Sequence, residues 1–124
     1  MFNKCFLIGR LTRDPETRVT LSGVAVSRFT IAVDRVRGKN GQEGVTDYIR
    51  VVAWRRLAEI CGEYLKKGKL IAIEGRLQIE SYDKDGESRT SAEVVADNMQ
   101  MLDRGTGVEM AHDHYDHAEE IAPI

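Results

Sequence analysis

DYIRVVAWRR, residues 47–56, is the stretch that decides how this chain is read. Side chains along a strand alternate between its two faces. That parity sets Ile49, Val51 and Ala53 on one face and Tyr48, Arg50, Val52 and Trp54 on the other. The first set is apolar and compact and suits a core. The second places flat aromatics beside a guanidinium, with Arg55 and Arg56 following at once. Rings interleaved with fixed positive charge suit a polyanion whose own rings can stack, which is single-stranded nucleic acid. The plainer reading is an amphipathic strand whose aromatics are there for packing, and the rest of the chain has to choose between the two.

Working upstream, residues 3–11 form a nearly continuous apolar run. It fits a strand buried on both faces, or the first strand of a closed barrel. Pro15 breaks it, residues 18–20 are a short extended piece, and Leu21-Ser22-Gly23 signals a turn. Residues 24–34 alternate as a second strand, with Phe29, Ile31 and Val33 on one face. Residues 36–46 are polar and glycine-bearing and read as a long hairpin tip, with Arg35, Arg37 and Lys39 giving it a positive edge.

Downstream, Leu57, Ile60, Cys61, Tyr64 and Leu65 make the stripe of an amphipathic helix over residues 55–67. Lys66 and Lys67 fall in its expected last turn and Gly68 just past it. Gly62 inside the helix points to a close packing contact. Residues 70–82 read as a fourth strand with a bulge at Gly75, residues 83–87 as an Asp-Gly hairpin turn, and residues 88–102 as a fifth strand. Five strands with one helix between the third and fourth is the element order of the OB-fold, a Greek-key barrel. The expected class is therefore all-β with one helix, and a five-stranded sandwich is the alternative. Residues 1–103 are the expected domain and residues 104–124 a disordered acidic tail.

Composition narrows function. With 31% charged and 42% hydrophobic residues the chain is an ordinary globular mix. No apolar run approaches the roughly 18 residues of a membrane span, and the N-terminus has no cleavage site, so a cytoplasmic protein is expected. Cys5 and Cys61 read as small hydrophobes in a reducing compartment. The net charge of −2 is uneven: residues 104–124 carry −4, with Arg104 against Glu109, Asp113, Asp116, Glu119 and Glu120, which leaves +2 on residues 1–103. A mildly basic body with an acidic appendage suggests a nucleic-acid binder, although at +2 any polyanion site must come from local clustering of charge. No nucleophile–base pairing or phosphate loop stands out, so no enzyme and no cofactor are expected. His112, His114 and His117 with Asp113 and Asp116 lie in the tail without thiolates or helix-fixed spacing, and no metal site is expected there. Asp83, Asp85 and Glu87 read as turn solvation.

Several blocks, in order and spacing, resemble the bacterial-type single-stranded DNA-binding protein family. They are Asn3-Lys4, Leu7 to Thr12, Asp14-Pro15-Glu16, Gly23 to Val26, Phe29 to Val33, Trp54 to Glu59, Glu63 to Gly68, Ile73 to Leu77 and Met99 to Leu102. The resemblance covers residues 1–103 and fits a member encoded by a mobile element or a short-tailed paralogue. It implies base stacking on Tyr48, Trp54 and Tyr82, with Arg50, Arg55, Arg56, Lys67 and Arg76 on phosphates and Lys4, Arg35, Arg37 and Lys39 in weaker support. It also implies a homotetramer, association with the nucleoid, and a role in replication, recombination and repair. The family often has a further stacking aromatic where this chain has Arg37, and basic residues where Glu80 and Ser81 precede Tyr82. Its members usually end in an acidic-hydrophobic tip that recruits partner proteins; Glu119, Glu120, Ile121, Pro123 and Ile124 are the counterpart here, without a terminal phenylalanine. Two other readings compete: an accessory interaction barrel of a primosome or recombination complex with weak or no strand binding, and a cold-shock-type RNA binder. The three aromatics weigh against the first; the long helix and the blocks weigh against the second.

Overall fold

The computed structural model describes residues 1–36 and 44–103. Arg37, Lys39 and everything expected of residues 104–124, the tail tip and its histidines included, lie outside the described residues.

The elements run β1 (Cys5–Leu11), β2 (Glu16–Val19), β3 (Ala25–Asp34), β4 (Thr46–Trp54), α1 (Arg55–Tyr64), β5 (Leu70–Lys84) and β6 (Glu87–Met101). The strand order is β1-β5-β6-β4-β3-β2, and β1 also pairs with β3, through Arg10 with Ala32 and Leu11 with Ile31. That second pairing closes the sheet into a barrel, so the sandwich alternative does not apply. β4 and β6 run parallel and every other pair antiparallel. This is the OB-fold expected from the element order, with the short β2 added on the edge of β3 where the sequence offered only an extended piece.

Alternation sets the core. Leu11, Phe29, Ile31, Val51, Ala53, Ile71, Ile73, Val94 and Met99 point inward, and Leu57, Ala58, Ile60 and Cys61 of α1 pack against them. Burial pushes the Cys61 thiol up to about 12, so it behaves as a small hydrophobe. Cys5 is half-buried and also free. The β1 run is not buried on both faces: Leu7 and Leu11 face inward, while Phe6 and Ile8 stand exposed outside. Asn3 extends the β1–β5 ladder with its side chain, accepting from the Leu77 N–H at 3.0 Å and donating to the Leu77 carbonyl at 2.8 Å.

The helix is shorter than its apolar stripe. It stops at Tyr64, and Leu65 is extended, with its buried side chain still filling the core. Lys66 and Lys67 therefore lie beyond the helix and do not complement its last turn. Gly68 takes a positive φ, but in a separate turn closed by the Lys69 N–H on the Lys66 carbonyl at 3.1 Å. Gly62 does meet a close neighbour: a Cβ there would lie 2.6 Å from Thr17 Oγ1 on β2.

The β5–β6 hairpin turns through Asp85 and Gly86, both at positive φ, as a two-residue type I′ turn requires. Near its base the register slips between Glu74 and Gly75, leaving Asp97 as the extra residue on β6. A Cβ on Gly75 would stand 2.3 Å from the Val95 carbonyl oxygen, which is backbone and cannot swing aside. Gly75→Ala is expected to lose about 1–3 kcal/mol of stability in urea unfolding. Past this bend the hairpin leaves the barrel as an arm, so Leu77 and Ile79 are exposed although they share the parity of Ile71 and Ile73.

Candidate nucleic-acid interface

On β4 the expected parity holds at both ends. Tyr48 is 68% and Trp54 40% exposed, and Arg50 is exposed between them. Val52, on the same outward face, is only 1% exposed. Register explains this. Across the barrel wall Arg28 of β3, Val52 of β4, Val95 of β6 and Arg76 of β5 are successive partners, so all four share the outward face. Arg28 reaches Glu93 of β6 at 2.9 Å, across β4, which lies between their two strands.

A groove of about 520 Å³ opens beside this face, lined by Arg13, Arg28, Tyr48, Arg50 and Glu93 among others. Its far wall is the β1–β2 loop, where Asp14 Oδ1 accepts the Lys67 N–H at 2.8 Å. Lys67 is thereby held next to the loop that carries Arg13.

The expected phosphate-binding cations divide into free and paired groups. Among the described residues Arg50, Arg55 and the Lys67 ammonium have no carboxylate partner. Arg56 lies 3.6 Å from Glu59 and Arg76 lies 3.4 Å from Asp97, both exposed enough that solvent competes for them. Arg35 forks onto Asp47 through two bonds of 3.0 Å at the base of the β3–β4 hairpin. The Arg35 hydrogen bond holds the Asp47 carboxyl below its ordinary range, and Asp47 in turn raises Arg35. Lys4 pairs with Glu74, whose carboxyl is lowered by hydrogen bonds from Lys4 and Asn98. Glu74 is the register partner of Phe6, so Lys4 sits on the β1–β5 wall, away from the β3–β4 face.

Arg55 sits where strand becomes helix, with φ of +59°. A non-glycine residue there stores about 1–2 kcal/mol, and such strain gathers at functional sites. No side chain caps the helix start at Trp54. Arg55→Gly should fold at least as stably as the parent in thermal melts while binding an oligonucleotide less tightly.

Tyr82 is 47% exposed on the hairpin arm, on the same parity as Arg76. Glu80 and Ser81 precede it, but Arg89 stands directly opposite it in the β5–β6 register, 3.4 Å from Glu87. The sequence reading missed Arg89, Arg13 and Arg28. Arg89 could have been found: a two-residue Asp85-Gly86 turn pairs Lys84 with Glu87, and hence Tyr82 with Arg89. Arg28 lay on the expected outward parity of its strand, but only the strand order brings it beside β4. Nothing in the local sequence marks Arg13.

Residues 2–102 match the model of the Single-strand binding protein family. The chain belongs to that family. It is 50% identical over 106 residues to a single-stranded DNA-binding protein of Thermotoga maritima, covering 83% of this chain and 75% of the relative. It is 45% identical over 122 residues to single-stranded DNA-binding protein 3 of Clostridium acetobutylicum, covering 95% and 84%. A single-stranded DNA-binding protein of Streptococcus pneumoniae is 47% identical over 104 residues, covering 83% and 67%. The matched residues span the whole barrel of this family member, from before β1 to the end of β6. The family is one of non-enzymatic DNA-binding proteins. Among the described residues no cluster of side chains could hold a metal ion, and no helix is long and apolar enough to cross a membrane.

Proposed function

We propose that this protein binds single-stranded DNA without strong sequence preference, protects it and keeps it from re-pairing. The observation that carries this is the outward face of β4, where exposed Tyr48 and Trp54 flank an Arg50 that has no carboxylate partner among the described residues. The aromatics stack bases, Tyr82 continues the platform onto the hairpin arm, and Arg50, Arg55 and Lys67 are the best placed to neutralise phosphates. Arg56, Arg76 and Arg35 join by exchanging carboxylates for phosphates, while Lys4 lies apart on the β1–β5 wall. An OB-fold of this kind occludes about 4–16 nucleotides. The names of the relatives, all single-stranded DNA-binding proteins, agree with this reading.

The rest of the proposal reaches beyond the barrel. The protein acts in replication, recombination and repair in the cytoplasm, as a homotetramer. Support for assembly comes from the β1–β5–β6 wall, where exposed Phe6 and Ile8 line a shallow groove of about 530 Å³ with Ala72, rimmed by Glu74, Asn98 and Gln100. An exposed apolar face of that sort is unusual on a monomer. Residues 104–124 are proposed as an appendage whose tip, Glu119 to Ile124, recruits partner proteins.

Anisotropy of labelled oligo-dT, oligo-U and duplex DNA tests the binding reading. Tight binding to oligo-dT with much weaker duplex binding is expected; equal affinity for duplex would sink it. Sedimentation tests the tetramer, and deletion of residues 119–124 tests the tip through capture of host repair proteins.

A further inference from the structure

Arg28 and Glu93 flank β4 from opposite sides. Arg28 is on β3, in register with Val52, and Glu93 is on β6, next to Val94, which is in register with Val51. Their side chains meet at 2.9 Å, with the Arg28 side chain 55% and that of Glu93 24% exposed. The pair thus bridges the outward face between Tyr48 and Arg50 on one side and Trp54 on the other. Both residues also line the groove that holds Tyr48 and Arg50. Two features make this more than a brace. Asp14 and Glu16 line the outer wall of the groove, but Glu93 is the acid that stands beside β4 itself, and its partner is a cation that such a face would use.

We propose that the Arg28–Glu93 pair is an electrostatic latch across the path of the single strand. This rests on the reading of the β4 face as the strand-binding surface. With the latch closed, Glu93 neutralises Arg28 and repels a phosphate entering the groove. A backbone phosphate that takes Arg28 must displace Glu93, whose carboxylate then turns to solvent. Glu93 is therefore a residue set against affinity: it weakens the grip at the centre of the platform, lowers the salt sensitivity and speeds release. A strand-coating protein has to be cleared from DNA as readily as it binds, and a counter-charge inside the path does this without removing an aromatic.

Counterion release gives the latch a signature that a brace lacks. When a phosphate takes Arg28 from Glu93, the counterion leaving the DNA is matched by one gathered by the freed carboxylate, so the wild-type pair gives no net release. Freed by Glu93→Gln, Arg28 is expected to tighten oligo-dT binding about two- to fivefold at low salt, the scale of an exposed ion pair. It is also expected to steepen the slope of log affinity against log salt by about 0.7, the value of one added phosphate contact on a single strand. Arg28→Gln in the wild-type background leaves Glu93 uncompensated and should weaken binding with little change in slope, whereas in the Glu93→Gln background it should reverse both gains. Glu93→Ala is the second variant should glutamine disturb the fold, and thermal melting accompanies each protein. Unchanged or weaker binding by a folded Glu93→Gln overturns the latch in favour of a brace. So does an Arg28→Gln that flattens the salt slope equally in both backgrounds. A wild-type chain that does not bind oligo-dT overturns the reading of the face beneath it; a wild type that binds, with Glu93→Gln indistinguishable from it, overturns the latch alone.

Discussion

Tyr48→Ala is expected to weaken oligo-dT binding by about 1–3 kcal/mol, with little change in thermal stability. Tyr48 is the most exposed aromatic of the proposed platform, and it lines the groove together with Arg50. Its ring touches water over most of its surface, so truncation removes little packing from the fold. The loss falls on the complex, where a base would otherwise stack on the ring. Trp54→Ala belongs to the same range, although Trp54 is less exposed and ends β4 where α1 begins, so part of its effect will be on stability. Anisotropy titrations paired with melting curves separate the two contributions. Tyr48→Phe keeps the ring and should bind nearly as the wild type does. Wild-type affinity in both alanine variants would refute stacking on β4.

Ile31→Ala has the largest effect expected on folding, a loss of about 2–5 kcal/mol. Ile31 is fully buried, and it pairs with Leu11 across the β1–β3 seam and with Ile49 across β3–β4. A cavity there loosens the seam that turns a sheet into a barrel. Domains of this size hold only about 5–15 kcal/mol in all, so the variant should show a much earlier urea midpoint. It should still bind oligo-dT near the wild-type level while folded, because Thr30 and Ala32, its neighbours on the outward parity, are untouched. A variant as stable as the parent would show that the seam is not closed as described.

The fold was legible wherever a pattern is local. Strand alternation, the helical stripe and the Asp85-Gly86 turn each follow from residues close in sequence, and all appear in the structure. The end of α1 was not legible, because Leu65 satisfies the helical stripe and the core equally well; the route back to β5 decides that it is extended. Leu77 and Ile79 kept the core parity, but the length of the hairpin carries them past the barrel. The candidate site was half legible. Tyr48, Arg50 and Trp54 come from one strand and need only parity. Arg28, Glu93 and Arg89 come from other strands, and their place beside that face depends on register and strand order, which no single window of sequence contains. Pairing was equally hidden: Arg35, Arg76 and Lys4 read as free cations, yet each holds a carboxylate.

Trp54 is the only tryptophan in the chain, so its fluorescence reports directly on the end of β4. The most direct test of strand binding by stacking on this face is a titration of Trp54 emission with oligo-dT at two salt concentrations, beside a duplex of the same length. Strong quenching by oligo-dT that needs more DNA at higher salt, with little response to duplex, is the predicted result. Binding of oligo-dT that leaves Trp54 emission unchanged, or equal quenching by duplex, would contradict it.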